Sequence, residues 1–193
     1  MNCLVVVAHP LGKSLCGYLA KETIAHMQSK GHDVTIKNLY DEDFSPRLTA
    51  SERASYYLEN FDSSTLEKDL AQLTQAEILV LVFPTWWFGF PAVLKGWFDR
   101  VWAPGHAYDH SPDLTAILPK LDDLREMKVI TTLGSPWWVD WFVLRRPIRR
   151  ILKTAILGTC APKCRFQMLS LYSSESLTDA KIETFVKRIK ESF

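Results

Sequence analysis

Apolar runs without polar alternation recur along this chain, each followed by a stretch with helical spacing. Residues 4–8, Leu-Val-Val-Val-Ala, form the first run, which stops at His9 and Pro10. A strand that is apolar throughout suits burial on both faces, as in a parallel sheet. Ser14 then opens a predicted helix to about residue 30, with Leu15, Leu19, Ile24 and Met27 as its apolar stripe and Gly31 as its C-terminal cap. Residues 33–39 alternate as a second strand, and residues 40–46 form a loop. Helical stretches follow at 50–60 and 64–75, where Thr65, with Glu67 and Asp69 after it, reads as a helix start. Residues 78–83 make a third buried strand, and a helix runs from near Pro91 to near Trp102. After a loop holding Gly105 and Pro112, residues 128–133 are the fourth strand, 145–157 are helical, 165–172 the fifth strand and 178–192 the closing helix.

Strand and helix thus alternate five times, and right-handed crossovers turn that alternation into an open parallel sheet with helices on both faces. The predicted fold class is α/β with strand order 2-1-3-4-5. Its ligand crevice lies beyond the carboxyl ends of strands 1 and 3. No repeat or linker interrupts the 193 residues, so one domain over 1–193 is expected.

Composition narrows the class further. A net charge of +1 argues against nucleic acid as the main partner. The apolar run at 78–83 is far short of the roughly 20 residues that span a bilayer, so no transmembrane segment is expected. The first seven residues carry no basic region and no cleavage site, and four scattered cysteines make no disulfide framework; together these point to the cytoplasm. Eight glycines fit neither a G-x-G-x-x-G nor a P-loop pattern. The excess lies in tryptophan, with 7 residues.

Three segments fall at the ends of the central strands. His9-Pro10-Leu11-Gly12-Lys13-Ser14 runs into a helix whose first-turn amides suit a phosphate, though Ser14 serves equally as a plain N-cap and His9 as a turn residue. Pro84-Thr85-Trp86-Trp87-Phe88-Gly89-Phe90-Pro91 sets four aromatic rings between two prolines. A planar aromatic ligand explains it, with rings as walls and backbone amides reaching polar ring atoms; burial under a neighbouring element or in a dimer contact is the alternative. Thr131-Thr132-Leu133-Gly134 is the third.

From Pro84 through Val101 the sequence, PTWWFGFPAVLKGWFDRV, closely resembles the signature of the NAD(P)H:quinone oxidoreductases, which are flavodoxin-like flavoproteins. Ala8-His9-Pro10 with Ser14 is similar to their first phosphate-binding turn, and residues 131–134 to their T-T-G-G loop. The resemblance runs from the first strand to about Leu133 and implies a flavodoxin-like fold, a bound flavin (FAD favoured over FMN), NAD(P)H as electron donor, a quinone or similar flat acceptor, and a homodimer. It implies that His9, Ser14, Leu15 and Cys16 line the flavin phosphates. Pro84, Thr85, Trp86, Trp87 and Phe88 then border the isoalloxazine, and Thr131, Thr132 and Gly134 approach its pyrimidine side. Amides of residues 132–134 are expected to meet the charge developing near flavin N1 and O2. Leu133 stands where the family has glycine. The family's assisting Tyr and His have no clear counterpart after Gly134, so no catalytic acid is assigned.

Other features stay open. Arg145, Arg146, Arg149, Arg150 and Lys153 read as one side of a helix, either a solvated basic face or an attractor of an anionic cofactor. Cys160 and Cys164 lack the partners of a metal set, and none is expected. His106 and His110 flank Tyr108 in a loop. Trp137, Trp138, Trp141 and Phe142 suit an aromatic lid, a dimer interface or a membrane contact. No basic amphipathic helix is legible beside them, which argues against the last. Two other functional classes fit the same fold. A flavodoxin-type electron carrier is disfavoured by the +1 charge, and a flavin-binding regulatory subunit stays open.

Overall fold

The computed structural model describes residues 1–40, 44–58 and 60–193. The strands are β1 (Asn2–Val7), β2 (Asp33–Asn38), β3 (Ile78–Pro84), β4 (Tyr108–His110), β5 (Ile117–Pro119), β6 (Glu126–Thr132) and β7 (Arg165–Leu171). The α-helices are α1 (Leu15–Ser29), α2 (Ala50–Ala54), α3 (Glu67–Thr74), α4 (Ala92–Val101), α5 (Pro147–Arg150), α6 (Gly158–Cys160) and α7 (Asp179–Ser192). The main sheet is parallel throughout and ordered β2-β1-β3-β6-β7, while β4 and β5 form a separate antiparallel hairpin. With the hairpin set aside, this is the expected 2-1-3-4-5 order.

Every residue of β3 is buried, because helices cover both faces. Val5, Val7, Val80 and Val82 pack toward α1 and α7, against Cys16, Leu19, Phe185 and Ile189. Leu4, Val6, Leu79, Leu81 and Phe83 pack the other way, against Leu70, Leu73, Leu94 and Trp97 of α3 and α4. Two apolar layers sandwiching an apolar sheet are what the unalternating strands demand.

Four expectations need correction. The stretch 50–60 is not one helix: α2 ends at Ala54 and a 3₁₀ turn, Ser55–Tyr57, follows. Ser55 Oγ donates to the Glu52 carbonyl and accepts from the Asp62 amide, so a side chain competes with helix continuation. Thr65 caps nothing; its hydroxyl accepts from Arg100, and α3 starts at Glu67 behind an uncapped Leu66. The loop after Trp102 contains the β4/β5 hairpin. The helix assigned to 145–157 begins only at Pro147, because Arg145 and Arg146 are left-handed (φ 56° and 53°), and Ile151–Leu157 is π-helical. The basic stripe is broken accordingly: Arg146 stacks on Trp141 and Arg149 on Phe166. Of the loop at 40–46, positions 41–43 lie outside the described residues.

The excursion between β2 and β3 is tied down by one buried arginine. Arg100, on α4, donates through Nε to both Glu52 carboxylate oxygens at 3.0 Å, through Nη1 to the Ser45 carbonyl at 2.6 Å and through Nη2 to Thr65. Glu52 also closes a capping box with Thr49 at the start of α2. Burial alone would raise the Glu52 carboxyl, but hydrogen bonds from Arg100 and Thr49 hold it below its ordinary value. Close packing completes the clamp, since a Cβ on Gly96 would stand 2.1 Å from the Pro46 carbonyl oxygen.

Removing one partner leaves a buried charge alone. Arg100→Ala is therefore expected to lower unfolding stability by about 3–5 kcal/mol in urea titrations. Because the folded-state pKa of Glu52 is depressed, its contribution is present above the unfolded value near 4.5 and is lost as pH falls through the lower folded value. The gap between parent and Arg100→Ala should therefore narrow as pH falls below the unfolded value near 4.5 and through the lower folded value; a gap that stays constant down the whole acid limb would refute the pairing.

Candidate functional site

Pairing of β1 with β3 brings their carboxyl ends together, and Ala8 N–H extends the ladder by donating to the Val82 carbonyl at 3.0 Å. Beyond β1, His9 Nδ1 accepts from the Leu11 amide at 3.0 Å, which curls the loop back. Ser14 is the N-cap of α1, its Oγ accepting from Gly17 N–H at 3.1 Å. Gly17 is required there, because a Cβ would meet the Gly12 carbonyl oxygen at 2.9 Å. The loop therefore lies directly on the first turn of α1, whose leading amides face the crevice with their positive partial charge.

Leu15 is half-buried. Cys16 is buried, with Sγ 3.4 Å from Thr132 Oγ1. Burial pushes its thiol up to about 11, offset in part by the Thr132 hydrogen bond, so it stays protonated at neutral pH. Cys16 is thus a packing link between α1 and β6.

Beyond β3 the chain makes a mirrored two-residue turn. Gly89 N–H donates to the Trp86 carbonyl at 2.9 Å, and the central residues Trp87 and Phe88 both have positive φ, 51° and 55°. This is type I′ geometry carried by two bulky aromatics instead of the usual Asn and Gly. Each left-handed residue costs about 1–2 kcal/mol. The surroundings impose it: Pro84 lies in the ladder opposite Thr132, and Phe90 packs between Phe83 and Phe98 at 5.7 and 5.4 Å. The turn leaves the Trp87 and Phe88 amides without a partner among the described residues. Its rings divide: Phe90 joins the core, Trp86 lies beside His9 with centroids 6.3 Å apart, Phe88 is half-buried and Trp87 is wholly exposed at 101%. Strain of this kind, held at the end of a central strand, marks a site.

Thr85 extends the β3–β6 ladder through its amide to the Thr132 carbonyl at 2.8 Å, and its hydroxyl lies 2.6 Å from that of Thr131. The Thr131 and Thr132 hydroxyls are thus buried and engaged internally. One expectation at this edge is corrected: the Leu133 amide is not open to a ligand, because it donates to the Leu171 carbonyl at 2.9 Å. Gly134 is left exposed beside the Glu175 carboxylate, whose Oε1 a Cβ at Gly134 would approach to 3.1 Å. An acceptor there complements N–H or O–H donors and opposes negative charge. Leu133 itself is buried, so the side chain that replaces glycine points into the protein.

Residues that the sequence reading passed over complete the edge. Tyr172, just past β7, donates to Asp140 Oδ2 at 2.8 Å and accepts from Trp141 Nε1–H at 3.1 Å. Burial raises the phenol's pKa. Asp140 is the one acid inside an aromatic run, and that isolation was the available signal. His106 and His110 lie elsewhere, with Tyr56 and Tyr57 around a separate hollow of about 610 Å³. Cys160 and Cys164 are raised to about 12 and about 11 by burial, which keeps both as thiols.

Trp87 has no packing to lose and a strained backbone to relax. Trp87→Gly is expected to leave the apoprotein as stable as the parent or up to about 1 kcal/mol more stable, read as an unchanged or raised melting temperature. A marked fall would mean that the turn is not strained.

Comparison with known proteins agrees with this architecture. An uncharacterized NAD(P)H oxidoreductase of Haemophilus influenzae is 34% identical over 140 residues, 70% of this chain and 65% of that protein. The ribosyldihydronicotinamide dehydrogenase (quinone) of Mus musculus is 32% identical over 122 residues, 55% of this chain and 53% of the enzyme. The chain thus spans about half to two-thirds of the length of these relatives. The crystal structure of Smu.1420 from Streptococcus mutans superposes with a TM-score of 0.84 at 27% identity, covering 100% of this chain and 98% of that one. A family model described as "Flavodoxin-like fold" matches residues 1–191. With strand order, crevice and sequence in agreement, the chain belongs to the flavodoxin-like family.

Proposed function

We propose that this protein is an NAD(P)H-dependent flavin oxidoreductase that reduces quinones or similar flat acceptors. One observation carries the reading: the capped N-terminus of α1 and the strained Trp86–Gly89 turn meet at the β1/β3 switch point, and both present amides without a partner among the described residues. Names of the relatives support the same chemistry.

The residues fit a flavin. The leading α1 amides suit its phosphate, with Ser14 and His9 beside them. The Trp87 and Phe88 amides suit acceptor atoms on the ring edge, while Glu175 and the Gly134 amide border its other end. Bound there, a flavin would accept hydride from NAD(P)H and deliver it to the acceptor. The protein's own part is to hold phosphate and ring, and to shield the reacting face from water with Trp86, Trp137 and Trp141.

FAD over FMN is supported by a hollow of about 670 Å³ that starts at Ser14 and runs between Tyr18 of α1 and Asp179 and Ile182 of α7. That is room for a nucleotide beyond the first phosphate. Homodimer formation is supported by an apolar hollow of about 290 Å³ lined by Phe90, Phe98, Trp102, Ile151 and Ala155. A cytoplasmic setting is supported by four cysteines that are all free thiols.

Steady-state rates with NAD(P)H and a soluble quinone test the reading. Parallel double-reciprocal lines are expected, because donor and acceptor must use one open face in turn. No quinone-dependent turnover by flavin-loaded protein would refute the function. Mass spectrometry of the released cofactor decides FAD against FMN. The pair His9→Ala with Ser14→Ala should weaken flavin binding by about 1–3 kcal/mol, the worth of a charged hydrogen bond. Loss of the Ser14 cap should also lower apoprotein stability by about 1 kcal/mol. Unchanged flavin affinity would show that the phosphate lies elsewhere.

A further inference from the structure

Tyr172 stands where the end of β7 meets the loop after β6, and its backbone is locked there. Leu133 N–H donates to the Leu171 carbonyl at 2.9 Å. Ser173 N–H donates to the Ser135 carbonyl at 3.1 Å, and Ser174 N–H to the Leu133 carbonyl at 2.9 Å. These bonds bracket residue 172 on both sides and tie it to the loop that carries Gly134. From that anchor the side chain reaches the segment that leaves β6. Its hydroxyl donates to Asp140 Oδ2 at 2.8 Å and accepts from Trp141 Nε1–H at 3.1 Å. A phenol has a single proton to give and lone pairs with which to accept, and this one uses both.

Asp140 is the only acid between Gly134 and Glu175, and at 6% exposure it is buried. An acid is costly there unless it is hydrogen-bonded, so what it accepts accounts for its place. Its carboxylate accepts from Tyr172, and its backbone carbonyl accepts from Arg146 N–H at 2.7 Å. Between these points Leu144 N–H closes the π-turn Val139–Val143 on the Val139 carbonyl at 3.0 Å. Arg145 and Arg146 are left-handed, a conformation that persists only where surrounding contacts impose it. Arg146 then lies over the Trp141 ring at 4.2 Å. The contacts close a circuit: phenol to carboxylate, carbonyl to Arg146, guanidinium to indole, and indole N–H back to phenol. Trp141 is held by its edge and by its face, with Trp137 standing 6.4 Å from it. All of these contacts lie within one chain. A second subunit laid over the rings would cover the segment without setting its shape.

We propose that Tyr172 is a positioning residue that, through Asp140 and Trp141, sets the shape of residues 137–146 at the rim of the crevice. Its part in turnover rests on the redox reading, in which that rim is the wall against which a flat acceptor lies. A wall ordered in advance spares the acceptor the cost of ordering it. Hydrogen exchange of the apoprotein tests the positioning without flavin or acceptor. In Tyr172→Phe, which removes one oxygen and keeps the ring, the Leu144 and Arg146 amides should exchange at least about tenfold faster while those of β3 stay unchanged. With flavin-loaded protein, KM for a soluble quinone should rise about five- to tenfold with kcat within about twofold, since order is lost before chemistry. Asp140→Asn keeps an acceptor oxygen and should match the parent in both measurements. Asp140→Leu removes it and should copy Tyr172→Phe, and the double variant should be no worse than Tyr172→Phe alone, because both break the same bond. Unchanged exchange in Tyr172→Phe, or additive effects in the double variant, would overturn the proposal. So would faster exchange throughout the sheet with a lowered melting temperature, which would make Tyr172 a packing residue. Absence of quinone turnover by the parent would refute the redox reading alone, because exchange still reads the shape of residues 137–146.

Discussion

Parallel pairing of β1 with β3 is the constraint on which the rest of this molecule depends. The register Val7 opposite Val82 puts both strand ends at one level, with β2 carried off to one side and β6 to the other. The connections diverge there, so no crossover helix can roof the gap. The loop of residues 9–14 and the turn of residues 86–89 must face each other across it. Burial of both sheet faces enforces the register, because a slip of one residue would exchange the side chains packed on α1 for those packed on α4.

Strain then concentrates at the crevice. Two bulky residues are left-handed between Trp86 and Gly89, and the loop after β1 lies so close on α1 that only glycine fits at position 17. Both features set backbone amides toward the gap and leave them without partners among the described residues. A fold tolerates this where the flanking structure over-determines it, and here Pro84 in the ladder and Phe90 in the core do so. The adjoining threonines and Cys16 have a different part, cross-linking β3, β6 and α1 beneath the crevice floor.

Away from the crevice, buried charge organises the less regular segments. Arg100 joins α2, the Ser45 loop and Thr65 to α4. Lys37 and Lys128, buried in β2 and β6, are neutralised by Asp69 and Glu126 at 2.9 and 2.7 Å. Such pairs add little net stability over apolar packing, but losing one partner is costly, so each fixes which segments must meet.

The sequence by itself determined the α/β alternation, the sheet order and the three strand ends where the site lies. These depend on local periodicity and on the topological rules that follow from it, and apolar runs such as residues 78–83 carry that information directly. It also determined the family, through the motif from Pro84 to Val101. Only the tertiary structure decided how those residues are used. Thr65 reads as a helix cap until Arg100, 35 residues away, claims its hydroxyl. Four rings at 86–90 read alike until packing sends Phe90 inward and Trp87 out. The Leu133 amide reads as available until β7 pairs beside it. Arg145 and Arg146 read as helical until their left-handed turn breaks the stripe. For Thr65 and Leu133 the deciding partner is distant in the chain; for Phe90 and Arg146 it lies within eight residues, but in every case a hydroxyl, ring or amide is assigned by whichever partner the folded chain brings within bonding distance.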